Sequence, residues 1–252
     1  MAFHKLYNQT KSTMYLIGEH HGTKEMPQAL INILEEALML DKCINLFLEF
    51  PSDIQNVLDD YIKDKVSYKE FLKTEFYNPP KGFYDGRTSK SMFEVIVFAK
   101  EHKDRIKTYF IVGKNGKKYE SNDGHELAMC DNVCDHYDGN KLNFIYVGSF
   151  HAITHEDEND WCTKYYKDNN YLPCGIHLKE KFSNVISIKI ESLKGKSIAC
   201  FGDVYNPETI RVKYVKDKST VKKDCNIFIK ENNKAYDYYY YLKRVTPSYK
   251  LK

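Results

Sequence analysis

Four short apolar segments, separated by stretches with helical periodicity, are the feature of the first 150 residues that most constrains the fold. They predict strands at 13–18 (TMYLIG), 44–50 (INLFLEF), 105–113 (RIKTYFIVG) and 142–148 (LNFIYVG). Between these segments, apolar residues recur every three or four positions, which is typical of amphipathic helices, at 27–40, 89–103 and 125–137. Strands that alternate with helices predict an α/β fold with a mixed, largely parallel central sheet covered by helices.

The connections between these elements also carry signals. Ser52 and Asp53 are residue types that cap helices, and we expect them to begin a helix that runs to Tyr61. The turn-rich segment 66–86, which contains NPPKGFYDG, and the polar segment 114–124 (KNGKKYESNDG) are predicted to be loops.

The pattern changes after about residue 155. The segments VISIKIES, SIACFGDV, TIRVKYV and CNIFIKE predict four short strands, and the period-two alternation of VISIKI is typical of a half-exposed antiparallel strand. A final helix is predicted at 233–243, around AYDYYYYLKR. We therefore expect an α/β core at 1–155 that carries the site, and a β-rich antiparallel extension at 156–252 that packs on the same sheet and is not an independent domain.

Composition excludes several classes of partner. The 252 residues carry 38 basic and 35 acidic side chains, a formal charge of +3, which is too even to indicate a nucleic acid or an anionic membrane. No apolar run approaches the roughly 20 residues of a membrane span, and the first residues lack the apolar core of a signal peptide. We expect a small-molecule or peptide substrate, and the sequence leaves the oligomeric state open.

The cysteines indicate the redox compartment. There are seven, an odd number, with no CxxC pair, and Cys130 and Cys134 fit one face of a helix. Buried free thiols explain this arrangement better than a disulfide framework or a zinc site does, so we expect a reducing, cytoplasmic compartment. Secretion as an effector domain is the alternative.

Ionisable residues stand where three of the predicted strands end. Glu19, His20 and His21 follow the first strand, Glu49 is the penultimate residue of the second, and His151 follows the fourth. In open α/β sheets, ligands bind outside the carboxyl ends of the strands, so we expect these groups to be neighbours. Successive side chains of an extended backbone face opposite sides, and we take His21 as the inward histidine.

Glu49 is the sharpest single signal. A carboxylate in an otherwise apolar strand must pair with a cation, a metal or hydrogen-bond donors, or else take up a proton. The alternative is an exposed strand end at which Glu49 only caps a helix. Glu25 has two interpretations of its own, as a cap of the following helix or as a group that orients a histidine.

Three motifs together carry a resemblance to a known superfamily. GEHHGTKEMP, LEFP and VGSFHA resemble the GxxH…LE…GxxH signature that joins the erythromycin-esterase-like proteins, the ChaN-like haem-binding proteins and the TIKI/TraB family. The resemblance covers about 13–155, and 156–252 matches no family that we can name. In that superfamily the two GxxH motifs and the strand-end glutamate line one cavity. At the matching positions of this sequence, the resemblance implies that the cavity is lined by Gly18, His21, Glu49, Gly148 and His151.

The resemblance implies further site residues. Glu19 matches an acidic residue of the esterase and ChaN branches. DGRTSKSMFEVI resembles a stretch with a site arginine, which implies Arg87, and HELAMCDNV resembles a helix with an acidic residue, which implies Glu126. His125 stands where some relatives have an arginine, and this leaves a second cationic site residue open.

The residues favour hydrolysis of an ester, amide or peptide bond. With Glu49 or Glu19 holding its ring, His21 is suited to act as general base on water, since the pKa of histidine is near neutral. His151 and Arg87 would then hold the substrate or the developing oxyanion. No serine or cysteine stands in a GxSxG context, which favours direct attack by water.

Two cofactor hypotheses use the same groups. His21, Glu49 and His151 form a two-histidine, one-carboxylate set for a divalent metal such as Mn, Zn or Co, with Glu19 and Glu126 as further ligands, and we take metal-assisted hydrolysis as the first expectation. The alternative is haem binding without catalysis, as the ChaN branch implies, with histidines or tyrosines as axial ligands. Gly22 stands where that branch tends to carry an acidic residue.

Overall fold

The computed structural model describes residues 1–77, 86–113, 121–158, 160–200, 210–215, 224–231 and 234–249. Its helices are α1 (Ala2–Thr10), α2 (Glu25–Leu38), α3 (Gln55–Ile62), α4 (Tyr68–Phe71), α5 (Lys90–Glu101), α6 (Asn122–His136), α7 (Trp161–Asp168) and α8 (Cys174–Lys181), with a 3-10 turn at Ser52–Ile54 before α3. Its strands are β1 (Met14–Glu19), β2 (Ile44–Pro51), β3 (Ile106–Val112), β4 (Leu142–Gly148), β5 (Val185–Ser192), β6 (Gly195–Cys200), β7 (Ile210–Val215), β8 (Phe228–Lys230) and β9 (Tyr238–Leu242).

In the described part of the chain, seven strands form one mixed sheet in the order β3-β2-β4-β1-β5-β9-β8. All neighbouring pairs are parallel except the edge pair β8 and β9, which is antiparallel. Strands β6 and β7 form a separate antiparallel pair. The predicted α/β class and the largely parallel sheet are therefore confirmed.

Helices cover both faces of this sheet. Alternate side chains of each strand point to opposite sides, so every inner strand contributes to two cores. Tyr15 and Ile17 of β1 face a core shared with α1, α2 and α5. Met14 and Leu16 face a second core shared with α6, α7 and α8. With both faces buried, the inner strands are nearly continuous apolar runs, which is why the sequence marks them so clearly.

The helix predicted at 233–243 is wrong. The described part of that range contains β9, which lies between β5 and β8. Tyr238, Tyr240 and Leu242 pack into one core of the sheet, and Tyr239 and Tyr241 pack into the other. Consecutive tyrosines suit a strand that is covered on both sides, since aromatic residues favour the pleated backbone.

The antiparallel orientation predicted for VISIKI is also wrong, since β5 pairs in parallel with both β1 and β9. Its alternation has a different cause. The polar face of β5 is covered by the segment before β9, where the Ser187 backbone N–H donates to Asp237 Oδ2 over 2.9 Å. Lys189 lies over the ring of Tyr236 on the same face. Period-two alternation here reflects a polar packed face rather than an exposed one.

Several local predictions also differ from the structure. The expected caps Ser52 and Asp53 lie in the 3-10 turn, where no side-chain cap is formed, because the Ser52 hydroxyl donates instead to Gly113 O. Helices α1, α7 and α8 were not predicted. Helix α4 lies within the predicted loop at 66–86. Residues 78–85, 114–120 and 201–209, which belong to predicted loops and strands, lie outside the described residues.

None of the helices in the described ranges combines the length and the apolar character needed to cross a bilayer.

The core makes a direct prediction about stability. Phe144 on the inner strand β4 is fully buried, and its ring packs against Phe3 and Tyr15 at centroid distances of 5.3 and 5.4 Å. We expect Phe144→Ala to lower the free energy of unfolding by about 3–5 kcal/mol, measured by urea denaturation. Met39→Ala is the control, since Met39 is 65% exposed. A loss below about 1 kcal/mol for Phe144→Ala would contradict the packing described here.

Candidate active site

The candidate site lies where three adjacent parallel strands end. Strand β4 lies between β2 and β1, so the carboxyl ends of these strands meet at one edge of the sheet. Glu19 at the end of β1 is in register with Gly148 at the end of β4. The sheet order thus brings together the groups that the sequence places at strand ends.

Glu49 is the centre of the group and is almost fully buried. Its Oε2 accepts a hydrogen bond of 2.6 Å from the backbone N–H of Gly148, and its Oε1 lies 3.0 Å from Arg87 Nη1. His21 Nε2 lies 3.5 Å from Oε2, and His151 Nε2 lies 3.7 Å from Oε1. The carboxylate therefore has the cationic partners that its burial requires.

His21 is oriented by Glu19. Its Nδ1 lies 2.8 Å from Glu19 Oε1, and the hydroxyl of Tyr146 donates to Glu19 Oε2 over 2.6 Å. Glu19 and Tyr146 are buried, so this chain of hydrogen bonds is shielded from water. Of the two carboxylates that were candidates for holding the ring, Glu19 holds Nδ1, and Glu49 faces Nε2.

His151 has a matching arrangement. Its Nδ1 lies 2.8 and 2.9 Å from the two oxygens of Glu126, which is buried on α6. The backbone N–H of Cys174, at the start of α8, donates to Glu126 Oε2 over 2.8 Å. Each imidazole therefore has a carboxylate at Nδ1 and turns Nε2 towards the shared Glu49.

These contacts set the protonation of the site. Burial opposes the charge on His21, but the carboxylates of Glu49 and Glu19 outweigh it and raise the pKa of His21 to about 10. Burial also opposes the charge on His151, and Glu126 and Glu49 nevertheless raise its pKa. Although burial works against ionisation of Glu49, His151, His21 and Arg87 hold its pKa well below the ordinary value. His21 is therefore an imidazolium at neutral pH and does not have the near-neutral pKa expected from the sequence.

Arg87 reaches the site from the turn before α5. Gly86, directly before it, has φ +96°, and a Cβ at this position would clash with the backbone of Gly22, beside His21. Only glycine fits a left-handed backbone at such a close approach. The loops that carry Arg87 and His21 are therefore in direct backbone contact.

Gly148 keeps the space between the two histidines open. A Cβ added to it would lie 3.0 Å from His21 Nε2 and 3.4 Å from both Glu49 Oε2 and His151 Cδ2. The glycine thus forms a floor without a side chain at the point where the two Nε2 atoms and Glu49 converge.

Two groups of the network were missed by sequence reasoning. Tyr146 stands two positions before Gly148, on the face of β4 that meets Glu19, and this spacing could have indicated it. Cys174 contributes only its backbone N–H, which leaves no signal in the sequence. Glu25 neither orients a histidine nor caps α2 through its side chain. Both of its carboxylate oxygens accept hydrogen bonds from Thr246 instead.

His125 lies beside the site, with its ring centroid 5.9 Å from that of His151. Burial lowers its pKa, and the charge on His151 lowers it further. Among the described residues, His125, Glu126 and His151 form a group whose ligand atoms lie within 4.8 Å of one another and which could hold a metal ion.

Comparison with known proteins supports the fold. No protein-family model and no curated protein sequence matches the chain. Among solved structures, a succinoglycan biosynthesis protein has a TM-score of 0.69 at 12% identity, covering 97% of this chain and 91% of that one. A protein from Bacillus cereus has a TM-score of 0.67 at 13% identity, covering 100% and 94%.

A mutant of an erythromycin esterase, in its open conformation, has a TM-score of 0.58 at 9% identity, covering 84% of this chain and 78% of that one. This chain has the erythromycin-esterase-like fold. The resemblance drawn from the GxxH…LE…GxxH motifs is thereby confirmed at the level of the fold, and the esterase-like fold extends beyond residue 155, where the sequence matched no family.

The raised pKa of His21 predicts a pH dependence of stability. The folded protein keeps this proton up to about pH 10, whereas an unfolded histidine loses it near the ordinary value of 6.5. The stabilisation is therefore complete below about pH 6.5 and is lost as the pH rises towards 10. Urea unfolding at several pH values should show that wild type loses more stability over this range than His21→Gln does. The control His20→Gln should follow wild type, and parallel curves for all three proteins would refute the assignment.

Proposed function

We propose that the protein is a hydrolase that uses the His21–Glu49–His151 centre to activate water against an ester, amide or peptide carbonyl without a metal. The observation that carries this proposal is the paired arrangement of the histidines. Each has Nδ1 fixed by a buried carboxylate and directs Nε2 towards the same point. Two oriented imidazoles at one point supply an acid–base group and a second donor for the same reacting carbonyl.

His21 is the proposed base. Once its Nε2 has lost its proton, it takes a proton from water as the water oxygen bonds to the carbonyl carbon. It then returns that proton to the leaving alkoxide or amine as the bond to the carbonyl carbon breaks. Glu19, held by Tyr146, stabilises the imidazolium formed in the first step.

His151 and Arg87 are the proposed oxyanion donors. The side chains of His21, His151 and Arg87 are 22%, 18% and 18% exposed, whereas that of Glu49 is 6% exposed. The groups that a substrate meets first are thus N–H donors, with the carboxylates behind them. Donors that are already fixed in place stabilise developing negative charge without reorganisation.

The metal hypothesis fits these residues less well. Both oxygens of Glu49 already accept hydrogen bonds, and the guanidinium of Arg87 lies 3.0 Å from one of them. A divalent cation bound there would meet an adjacent positive charge. In the group of His125, Glu126 and His151, the oxygens of Glu126 are engaged by His151 Nδ1 and by the Cys174 N–H. No step of the proposed reaction depends on a metal.

The haem hypothesis meets a similar obstacle. An axial histidine must point one nitrogen at iron in the open space above a porphyrin. Here the Nε2 atoms of His21 and His151 face the carboxylate of Glu49, within 3.7 Å of its oxygens. The site geometry therefore supports acid–base chemistry on a small group rather than haem ligation.

A substrate screen tests the proposal. The similarity of fold to an erythromycin esterase is the reason to begin with lactones and aryl esters, followed by peptides. We expect His21→Ala to lower kcat by about 10²–10⁴-fold, the usual contribution of a positioned acid–base group. The control His155→Ala alters a half-exposed histidine that pairs with Asp237 outside the site, and it should retain full activity. Full activity in His21→Ala would sink the proposal.

Metal content is tested on the same protein. We expect dialysis against EDTA to leave the hydrolysis rate unchanged, with elemental analysis showing less than stoichiometric Mn, Zn or Co. Loss of activity that returns on addition of one of these ions would support the metal-assisted form instead, and a Soret band in the purified protein would support haem binding.

The pH profile tests the role of His21 directly. Because the base must first lose a proton whose pKa is about 10, kcat/KM should rise with pH well above 7. Glu49→Gln removes the largest favourable influence on that proton, so the rising limb should move to lower pH while the maximal rate falls. A limb that stays in place in Glu49→Gln would assign the titrating group to another residue.

A further inference from the structure

A short segment near the end of the described chain, 245–249, lies across the two loops that carry His21 and Arg87. We call it the C-terminal strap. It lies in the part of the chain that matches no motif of the superfamily. Val245 and Ser248 within it are almost fully buried, so it is packed into the fold rather than lying on its surface.

The strap is bonded to the loop between β1 and α2. The backbone N–H of Lys24 donates to Thr246 O over 2.9 Å, and the N–H of Ser248 donates to Gly22 O over 3.0 Å. The two carboxylate oxygens of Glu25 accept from the backbone N–H and the hydroxyl of Thr246, over 2.6 and 2.7 Å. The residues that follow His21 are thus held by backbone and side-chain bonds together.

The same strap is bonded to the start of α5, directly after Arg87. The N–H of Lys90 donates to Tyr249 O over 2.9 Å. The N–H of Ser91 donates to the hydroxyl of Ser248 over 3.2 Å, and that hydroxyl in turn donates to the Ser91 hydroxyl over 3.0 Å. The strap therefore joins the two loops from outside, where their backbones already touch at Gly22 and Gly86.

The strap is itself anchored to β6 and to Lys194, the residue before it. The N–H of Val245 donates to Lys194 O, and the N–H of Lys196 donates to Val245 O, each over 3.0 Å. Strand β6 also holds the His21 loop directly, because the N–H of Ile198 donates to Gly22 O over 3.1 Å. This anchoring gives the strap a fixed position from which to hold the loops.

We propose that the C-terminal strap sets the positions of His21 and Arg87 against Glu49, with Glu25, Thr246 and Ser248 as positioning residues. The hydrogen bonds of these three described above run to the two loops and to one another. They act through the backbone of the two loops. The 3.5 Å between His21 Nε2 and Glu49 Oε2 and the 3.0 Å between Arg87 and Glu49 depend on where those loops lie. A loop movement of about 1 Å is enough to disable such a site.

The test reads the geometry of the site without using its activity, so a failed strap proposal and a failed hydrolase proposal are distinguishable. The titration of the His21 ring is followed by carbon and nitrogen NMR in the full chain. Its pKa is raised by Glu49, and an opposite charge within about 4–6 Å shifts a pKa by about 1–3 units. Loosening the loop should therefore lower the midpoint.

The variants are chosen to leave all charges unchanged. Thr246→Val removes the hydroxyl donated to Glu25, and Ser248→Ala removes the contact with Ser91. We expect the His21 midpoint to fall in each variant, and by about one pH unit in the double variant. Thr246→Ser keeps the hydroxyl and should restore the wild-type midpoint. Tyr249→Ala should also keep it, because the Tyr249 side chain is exposed and the strap uses only its carbonyl oxygen.

Thermal unfolding of each variant separates positioning from stability. If Thr246→Val and Ser248→Ala lower the melting temperature while the His21 midpoint stays at the wild-type value, the strap is a structural element only and the proposal is overturned. A lowered midpoint in Thr246→Val, restored in Thr246→Ser, is the expected result. If the double variant fails to fold, the single variants still decide the question.

Discussion

A buried carboxylate at the end of a parallel strand needs positive partners, and the site is arranged around this need. Glu49 receives a backbone N–H from the neighbouring strand and faces a guanidinium and two imidazoles. Removing one partner from such a buried group typically costs about 3–5 kcal/mol, because the remaining charge is left uncompensated. The two histidines have a corresponding need, and Glu19 and Glu126 meet it at their far nitrogens. Carboxylates and imidazoles therefore alternate along a row formed by Glu19, His21, Glu49, His151 and Glu126. Each side chain is held in place by contacts with its neighbours in the row.

The sheet order makes this row available. Because β4 lies between β2 and β1, Glu49 and His21 meet at Gly148, the last residue of β4. Glu49 accepts from the Gly148 backbone N–H, and His21 Nε2 lies where a side chain on Gly148 would crowd it. Helices α6 and α8, which pack on one face of the sheet, then support His151 through Glu126 and the backbone N–H of Cys174. The rigid sheet fixes the strand ends that carry Glu19, Glu49 and Gly148, whereas His21 and Arg87 stand on loops whose positions depend on further contacts.

The part of the sheet built from β1 to β4 could largely be predicted from the sequence. Buried parallel strands are nearly continuous apolar runs, so a charged residue within one, such as Glu49, stands out. The strands on the other side of β1, such as β5 and β9, could not be predicted in the same way. The sequence predicts a helix around the tyrosines of β9, but these side chains are buried on both faces of a strand. The period-two alternation of β5 arises because a polar segment packs on one of its faces. Tertiary contacts decided both cases, as they did for Tyr146 and for the backbone N–H of Cys174, which local patterns represent weakly or not at all.

The contacts of the strap also concern the order in which the protein can form. Glu25 and Thr246 are 221 positions apart, yet their hydrogen bonds hold the loop beside His21. Chains with many such distant pairings fold slowly, because the loop must close before the contact can contribute stability. During synthesis, the strands that carry Glu19 and Glu49 emerge from the ribosome long before the residues that fasten the His21 loop. The charged groups of the centre are therefore present in the nascent chain well before the hydrogen bonds that fix their final geometry can form.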